Sequence, residues 1–123
     1  MASNYGRGRL VEYRIRNLHL GFGATFSQRF AGSHGLWDGV SAFPDGSNVW
    51  WQAKLNCQPT WSDMKAMTRF ASHTPDYCLI YLAKSGTKKM TVLRYEYRKG
   101  FISLPGVKGT NQFPVAGPSG AKR

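Results

Sequence analysis

Residues 37–54, WDGVSAFPDGSNVWWQAK, decide the fold more than any other stretch of this chain. Two short strand-like runs, 37–43 and 48–54, flank the tetrapeptide PDGS at positions 44–47. Proline, aspartate and glycine in this order form tight turns, because proline presets one backbone angle and glycine accepts a positive φ. The pattern predicts a β-hairpin whose turn is centred on Asp45 and Gly46.

The flanking sequence predicts helices and further strands around this hairpin. Apolar residues at positions 11, 15, 18 and 22 recur at helical spacing and predict a helix over 4–20, which Gly21 and Gly23 end. A second helix is predicted over 62–72, capped by Ser62. Its expected buried stripe consists of Met64, Met67, Phe70 and Ala71. Strands are predicted over 24–30, 77–83 and 89–95. The predicted fold class is α/β, with a mixed central β-sheet flanked by helices.

Length and composition indicate one domain with a nucleic-acid partner. The chain has 123 residues, and 41% of them are apolar, which suffices for a packed core. We expect the domain to span 1–104, followed by a flexible, basic tail rich in glycine and proline over 105–123. Lysine and arginine number 17 against six acidic residues, giving a net charge of +11. So large an excess favours a polyanion, and nucleic acid over an acidic small molecule.

Several classes of protein are not expected. The longest apolar run, 77–83, has seven residues, whereas a membrane-spanning helix needs roughly 20. No apolar stretch follows the first basic residues, as it would in a secretory signal. Cys57 and Cys78 lack the spacing of a zinc site and are too few for a disulfide scaffold. We therefore expect a cytoplasmic protein with reduced thiols and no membrane contact.

The few acidic residues limit where a metal could bind. The six are Glu12, Asp38, Asp45, Asp63, Asp76 and Glu96. Divalent ions that assist phosphodiester cleavage need hard oxygen ligands close together. When the hairpin folds back, Asp38 comes beside Gln52, Ala53 and Lys54, while Asp45 stays at the tip, roughly 20 Å away. Asp38, not Asp45, is therefore the candidate ligand.

The register of the hairpin constrains this site. Paired residues point to the same face of a sheet, and a slip of one residue reverses the face. A two-residue loop would put Asp38 opposite Ala53 and away from the side chains of Gln52 and Lys54. A three-residue loop or a bulge would put Asp38 opposite Lys54, on the same face. We therefore predict an odd register or a bulge.

These residues resemble a known family of nucleases. The basic start GRGR at 6–9, then Glu12, the loop AGSHG at 31–35, Asp38 and the run QAK at 52–54 are similar to the archaeal-type Holliday junction resolvases. That family belongs to the PD-(D/E)xK superfamily, which has the restriction-endonuclease-like fold. The resemblance covers about residues 6–95, and the combination is more specific than any of its parts.

The resemblance implies a homodimer that resolves four-way (Holliday) DNA junctions in recombination and repair. It implies magnesium-dependent phosphodiester hydrolysis, with Mn²⁺ as the alternative ion and no small-molecule cofactor. Glu12 and Asp38 would bind the metal, with Gln52 and the carbonyl of Ala53 as further ligands. Lys54 would assist the attacking water or offset charge on the phosphate. Ser33 of the loop would contact the scissile phosphate. Gln52 departs from the glutamate that the family most often has, so the site would carry one negative charge fewer.

Basic residues are the expected DNA contacts. Phosphate contacts give salt-dependent affinity with little sequence preference. The candidates are Arg7, Arg9, Arg14, Arg16, Arg29, His34, Lys65 and Arg69. Other interpretations remain open from the residues alone: Glu12 as a surface helix residue that pairs with Arg9 or Arg16, and Lys54 as an ordinary strand-edge charge. Two functions rival junction resolution. One is another nuclease of the same fold, of flap, repair or restriction type; the other is a non-catalytic basic nucleic-acid-binding protein.

Overall fold

The computed structural model describes residues 4–30, 35–87 and 89–104, with side chains from residue 8 onward. Within these ranges the chain forms two helices and six strands. In chain order they are α1 (Asn4–Gly21), β1 (Phe26–Arg29), β2 (Gly39–Ala42), β3 (Asn48–Leu55), α2 (Trp61–Ser72), β4 (Tyr77–Ala83), β5 (Met90–Glu96) and β6 (Gly100–Ser103). The predicted tail, 105–123, lies outside the described residues, as do loop residues 31–34.

The six strands form one mixed sheet in which they lie in chain order. Neighbouring strands are antiparallel except for β3 and β4, which are parallel. Parallel neighbours need a crossover connection, and α2 provides it. The predicted α/β class and mixed sheet are therefore confirmed.

A hydrophobic core lies on each face of the sheet. On one face, Val11 and Ile15 of α1 pack in a cluster with Trp51 and Leu79. The other cluster joins Met67 and Ala71 of α2 to Cys78, Ile80 and Trp37. β4 is buried on both faces, in agreement with its uninterrupted apolar sequence. The helical spacing of apolar residues thus identified the buried side of both helices.

Two local predictions differ from the structure. β1 is shorter than the predicted 24–30, and α2 is capped by Thr60, not Ser62. The backbone of Thr60 is extended, and its hydroxyl accepts a hydrogen bond from the N–H of Asp63 at 3.1 Å, whereas Ser62 already lies in the first turn. A helix cap must precede the first turn to reach its unpaired N–H groups, and Thr60 meets this condition.

Strand β6 was not predicted. The chain reverses after β5 through residues 97–99. Arg98 in this turn has φ 67°, and Gly100, the first residue of β6, has φ 80°. The sequence RKG contains one glycine and none of the aspartate or proline residues that mark the first hairpin, so the turn signal is weak. β6 pairs with β5 and extends the sheet by one strand.

Gly39 of β2 is required by the indole of Trp51. The two residues are partners in the β2–β3 register, and a Cβ at position 39 would overlap Cζ2 of the Trp51 ring. Trp51 is completely buried, so its ring has little room to move. We expect Gly39→Ala to lower the free energy of unfolding by about 1–3 kcal/mol, measured by urea denaturation.

The control for this prediction is Gly21→Ala, at a position where a Cβ would meet nothing within 4 Å. We expect Gly21→Ala to change stability by less than about 0.5 kcal/mol. The cost of Gly39→Ala should also shrink in a Trp51→Leu background, because the clash partner is smaller. An equal cost in both backgrounds would contradict the clash.

Candidate functional site

Asp38 lies where β2 begins, and three hydrogen bonds hold it. Its N–H donates to the carbonyl of Trp51 at 2.8 Å, and its own carbonyl accepts from the N–H of Phe30 at 2.8 Å. Its carboxylate oxygen Oδ2 accepts from the N–H of Ala53 at 2.7 Å. A carboxylate bonded to a backbone N–H is strongly oriented. Asp38 is therefore fixed between β1 and β3.

The hairpin contains both devices that the sequence predicted, but with a different register. Phe43 N–H donates to the carbonyl of Ser47, which leaves a three-residue loop. Trp51 is the register partner of Gly39 and also accepts from the N–H of Asp38. Asp38, just before β2, and Gly39, its first residue, thus both face Trp51 of β3. Two residues opposite one define a β-bulge. The expectation that Asp38 would lie opposite Lys54 is wrong, because the bulge places Asp38 against Trp51.

Glu12 of α1 and Arg29 of β1 complete the acidic part of the site. Glu12 Oε1 lies 3.5 Å from a guanidinium nitrogen of Arg29, and these side chains are only 15% and 12% exposed. Burial raises the pKa of Glu12 to about 7; the charge of Asp38 adds to the rise, while Arg29 and Arg9 oppose it. The charge of Asp38 therefore acts on the ionisation of Glu12. Arg29, a predicted phosphate contact, forms an ion pair with Glu12 in this structure.

The pKa of Asp38 is also raised. Its burial is the main cause, opposed by the Ala53 hydrogen bond and by the positive charges of Lys54 and Arg29. The charge of Asp38 also disfavours the ionised form of Glu12. A nearby positive charge favours the ionised form of a carboxylate, as Arg29 and Lys54 do here. Burial therefore makes both Glu12 and Asp38 harder to ionise than in water.

The side chains of Gln52 and Lys54 lie on the other face of the sheet from that of Trp51, against which Asp38 lies. Gln52 and Lys54 are register partners of Ile80 and Leu82, which belong to the core under α2. Lys54 Nζ lies 3.7 Å from Oδ2 of Asp63 in the first turn of α2, although its charge still lowers the pKa of Asp38. Lys54 therefore lies between the acidic part of the site and the start of α2.

Gln52 is buried, with one half of its amide unpaired. Its Nε2 donates to the carbonyl of Leu36 at 3.1 Å. Its Oε1 is buried and has no hydrogen-bond partner among the described residues. A buried acceptor without a partner costs free energy, so such an atom is a candidate for binding an ion or water.

Metal ligands of the usual kinds are sparse. Across residues 4–30, 35–87 and 89–104, no group of three or more histidine, cysteine or acidic side chains could hold a metal ion. The oxygens present at the acidic part of the site are the carboxylates of Glu12 and Asp38. Hard oxygens of this kind suit Mg²⁺, which needs only one or two carboxylates and otherwise retains water. The residues present therefore fit the ion that the resemblance implies.

The other predicted residues divide into three groups. Ser33 and His34 lie outside the described residues, as does the side chain of Arg7. On α1, Arg9 is exposed, and Arg16 contacts Asn17 and the ring of Tyr13. On α2, Lys65 and Arg69 are both exposed. Asp45 closes the hairpin turn by accepting from the N–H and hydroxyl of Ser47, as its turn sequence indicates.

No role was predicted from the sequence for His19, a buried polar residue of α1. His19 is completely buried and lies between the hydroxyls of Ser41 and Tyr81, each at 2.7 Å from a ring nitrogen. It occupies an α1 position one residue beyond the apolar stripe, so an amphipathic pattern counts it as polar. The one sequence signal for its burial is its position four residues after Ile15, on the same side of the helix.

The positive charge of Arg29 lowers the pKa values of both Glu12 and Asp38, and this effect can be tested. Because Arg29 opposes the rise in pKa of Glu12 and Asp38, Arg29→Met should move the pKa of Glu12 above about 7. The measurement is a pH titration of side-chain carboxyl carbons by NMR. Arg16→Met removes a guanidinium over the same Tyr13 ring and should leave the Glu12 titration unchanged. Identical titrations in the wild type and Arg29→Met would refute this assignment.

In the described part of the chain, neither helix combines the length and apolar character required to cross a membrane. In comparisons with known proteins, no protein-family model, no curated protein and no solved structure matches this chain.

Proposed function

We propose that this chain is a metal-dependent, structure-specific endonuclease that resolves four-way DNA junctions as a homodimer. The observation that carries the proposal is the pairing of Glu12 and Asp38. Both carboxylates are partly buried, and burial is the main cause of their raised pKa values. The charge of Asp38 adds to the rise in the pKa of Glu12, and Lys54 is close enough to lower the pKa of Asp38. Carboxylates and an ammonium group in one place are the components of metal-assisted phosphodiester hydrolysis.

The architecture supports the restriction-endonuclease-like fold as part of this proposal. The resemblance implies a mixed sheet flanked by helices, with the aspartate and lysine delivered by one hairpin. The mixed sheet has α1 against one face and α2 against the other. Asp38 and Lys54 lie at the same end of the β2–β3 hairpin, opposite its turn.

Glu12 and Asp38 would hold Mg²⁺, or Mn²⁺ as the alternative ion, with the Ala53 carbonyl as a further oxygen. When bound, the ion polarises the phosphate and lowers the pKa of a coordinated water. The Ala53 N–H keeps the Asp38 carboxylate oriented. Arg29 offsets the negative charge of the two carboxylates. Lys54 is placed to bind a phosphate oxygen or to position the water, once it leaves Asp63.

The charge of the chain supports a DNA substrate. With a net charge of +11, the chain attracts phosphates from any direction in which its basic residues are exposed. Arg9 on α1 and Lys65 and Arg69 on α2 are exposed. A junction presents phosphates from several arms, and a two-fold dimer would set two sites against two strands. Ser33 and His34 remain the proposed loop contacts near the scissile phosphate.

A second candidate is a non-catalytic nucleic-acid-binding protein of the same fold. Two observations favour it: Lys54 is paired with Asp63, and the neutral Gln52 stands where an acidic ligand is common in the related nucleases. A flap, repair or restriction nuclease of the same superfamily would share the whole site.

The test is to incubate the protein with labelled four-way junction, flap and linear duplex, each with Mg²⁺, Mn²⁺ or EDTA. Cleavage of the junction that requires a metal supports the proposal. Preferential cleavage of the flap would replace it by another nuclease of this class. Tight binding of the junction without cleavage in either metal would overturn the enzymatic role in favour of the second candidate.

A further inference from the structure

Trp61, the first residue of α2, is unusually exposed. Its side chain is 78% accessible, more than any other large apolar side chain among the described residues. Tryptophan carries the largest apolar surface of all residues, so leaving it in water forgoes much of the gain from burial. It contributes nothing to the core under α2, which is formed by Met67 and Ala71 on another side of the helix. An exposed tryptophan of this kind indicates a contact surface.

Positive charges surround this indole along one side of α2. Lys65 Nζ lies over the Trp61 ring, 5.1 Å from its centroid. Arg69 follows four residues later, and both basic residues are exposed. Residues four apart in a helix are neighbours on one surface, so positions 61, 65 and 69 form a continuous stripe. We name Trp61, Lys65 and Arg69 the α2 stripe.

The α2 stripe begins beside the candidate site. Asp63, two residues after Trp61, is the partner of Lys54 at 3.7 Å. α2 starts six residues after β3 ends at Leu55, on the same end of the sheet as Lys54. A nucleic acid whose phosphate reached Lys54 would therefore lie near the first turn of α2, and from there it could extend to the α2 stripe, which lies on a different side of the helix from Asp63.

We infer that the α2 stripe binds an unstacked base and its flanking phosphates: the Trp61 indole stacks on the exposed face of the base, while Lys65 and Arg69 contact the backbone. The choice of DNA as the nucleic acid rests on the proposed function. Aromatic stacking needs an accessible base face, which a continuous duplex does not offer and which a branch point or a single strand does. The inference gives the protein a structural reason to distinguish branched DNA from intact duplex.

Fluorescence anisotropy in EDTA tests this binding without cleavage, using labelled four-way junction, a single-stranded oligonucleotide and blunt duplex. Trp61→Ala should weaken binding to the first two by about 5- to 100-fold and to duplex by no more than about twofold. Trp61→Phe, which keeps an aromatic face, should lie closer to the wild type. Because Trp61 is largely exposed, both variants should unfold at the wild-type urea midpoint.

Two controls separate stacking from charge and from general stickiness. Tyr97→Ala removes another exposed aromatic with a cation over its ring, Arg98 at 5.3 Å, but in the β5–β6 turn at the opposite end of the sheet. It should change no affinity by more than about twofold. Lys65→Gln should reduce the slope of log affinity against log salt by about 1, whereas Trp61→Ala should leave that slope unchanged.

Equal affinities of Trp61→Ala and the wild type for all three DNAs would overturn the inference, as would equal losses on duplex and junction. The two proposals fail separately. Metal-dependent cleavage by a wild type whose binding ignores Trp61 would remove only the α2 stripe. Trp61-dependent binding by a protein that cuts no DNA would remove only the enzymatic proposal.

Discussion

Asp38→Asn is expected to lower the rate of metal-dependent junction cleavage by about 10²-fold or more. The substitution removes one of two carboxylates that would hold the ion, and with it the charge that favours a cation there. An asparagine oxygen still accepts the hydrogen bond that Asp38 Oδ2 receives from the Ala53 N–H. The fold should therefore persist, so the loss should appear in the single-turnover rate and not in the unfolding midpoint.

Asp45→Asn is the matched control for this prediction. It removes the same charge from the same hairpin, but at the tip, where Asp45 accepts from the N–H and hydroxyl of Ser47. Both variants have equal net charge, so a general electrostatic effect on DNA binding would affect them alike. Cleavage by Asp38→Asn at the wild-type rate, or equal impairment of both variants, would contradict the role of Asp38.

Acidification is expected to destabilise the protein through His19. Burial lowers the pKa of His19 to about 4, from 6.5 in the unfolded chain. The unfolded state therefore binds more protons between these values, and stability is present above pH 6.5 and lost as the pH falls toward 4. The loss amounts to roughly 3 kcal/mol, from about 1.4 kcal/mol for each unit of pKa difference. Protonation also leaves the ring without an acceptor nitrogen between Ser41 and Tyr81.

Glu12 acts in the opposite direction and must be separated from His19. Because the folded pKa of Glu12 is raised to about 7, its contribution to stability is full below pH 4.5 and is lost as the pH rises through about 7. The two effects partly cancel in the wild type. Urea denaturation at several pH values should therefore show a steeper acid loss in Glu12→Gln. In His19→Gln the free-energy difference from the wild type should shrink as the pH falls; parallel curves would refute the assignment to His19.

The local features were predictable because each has a local cause. The turn at 44–47 follows from proline, aspartate and glycine, and the 77–83 strand agrees with the observed β4 because an uninterrupted apolar run suits a strand buried on both faces. The unpredicted β6 has a weak turn signal and a short sequence, and it becomes a strand by pairing with β5. β propensity depends on such neighbours, so a short edge segment is hard to recognise alone.

Spacing along the hairpin predicted that Asp38 lies close to β3, but it did not predict the contacts around the candidate site. Spacing along the hairpin brings Asp38 to the end of β3, as expected. The group that accepts a hydrogen bond from the Gln52 amide and the partner of Lys54 come from elsewhere in the chain: the backbone carbonyl of Leu36 and the carboxylate of Asp63. The engagement of Arg29 with Glu12 likewise depends on how α1 lies against β1. None of these contacts leaves a pattern in a single sequence, because each joins separate elements.

By itself, the amino-acid sequence determined the helices, the hairpin, the buried central strand and the strongly basic character of this protein. These properties depend on residue type and on spacings of a few residues, which backbone geometry converts directly into structure. Only the tertiary structure decided that Asp38 lies against Trp51, that His19 is enclosed by the hydroxyls of Ser41 and Tyr81, and that Trp61 is left exposed at the start of α2. Strand pairing and helix packing bring these distant residues together, and burial then sets their charges.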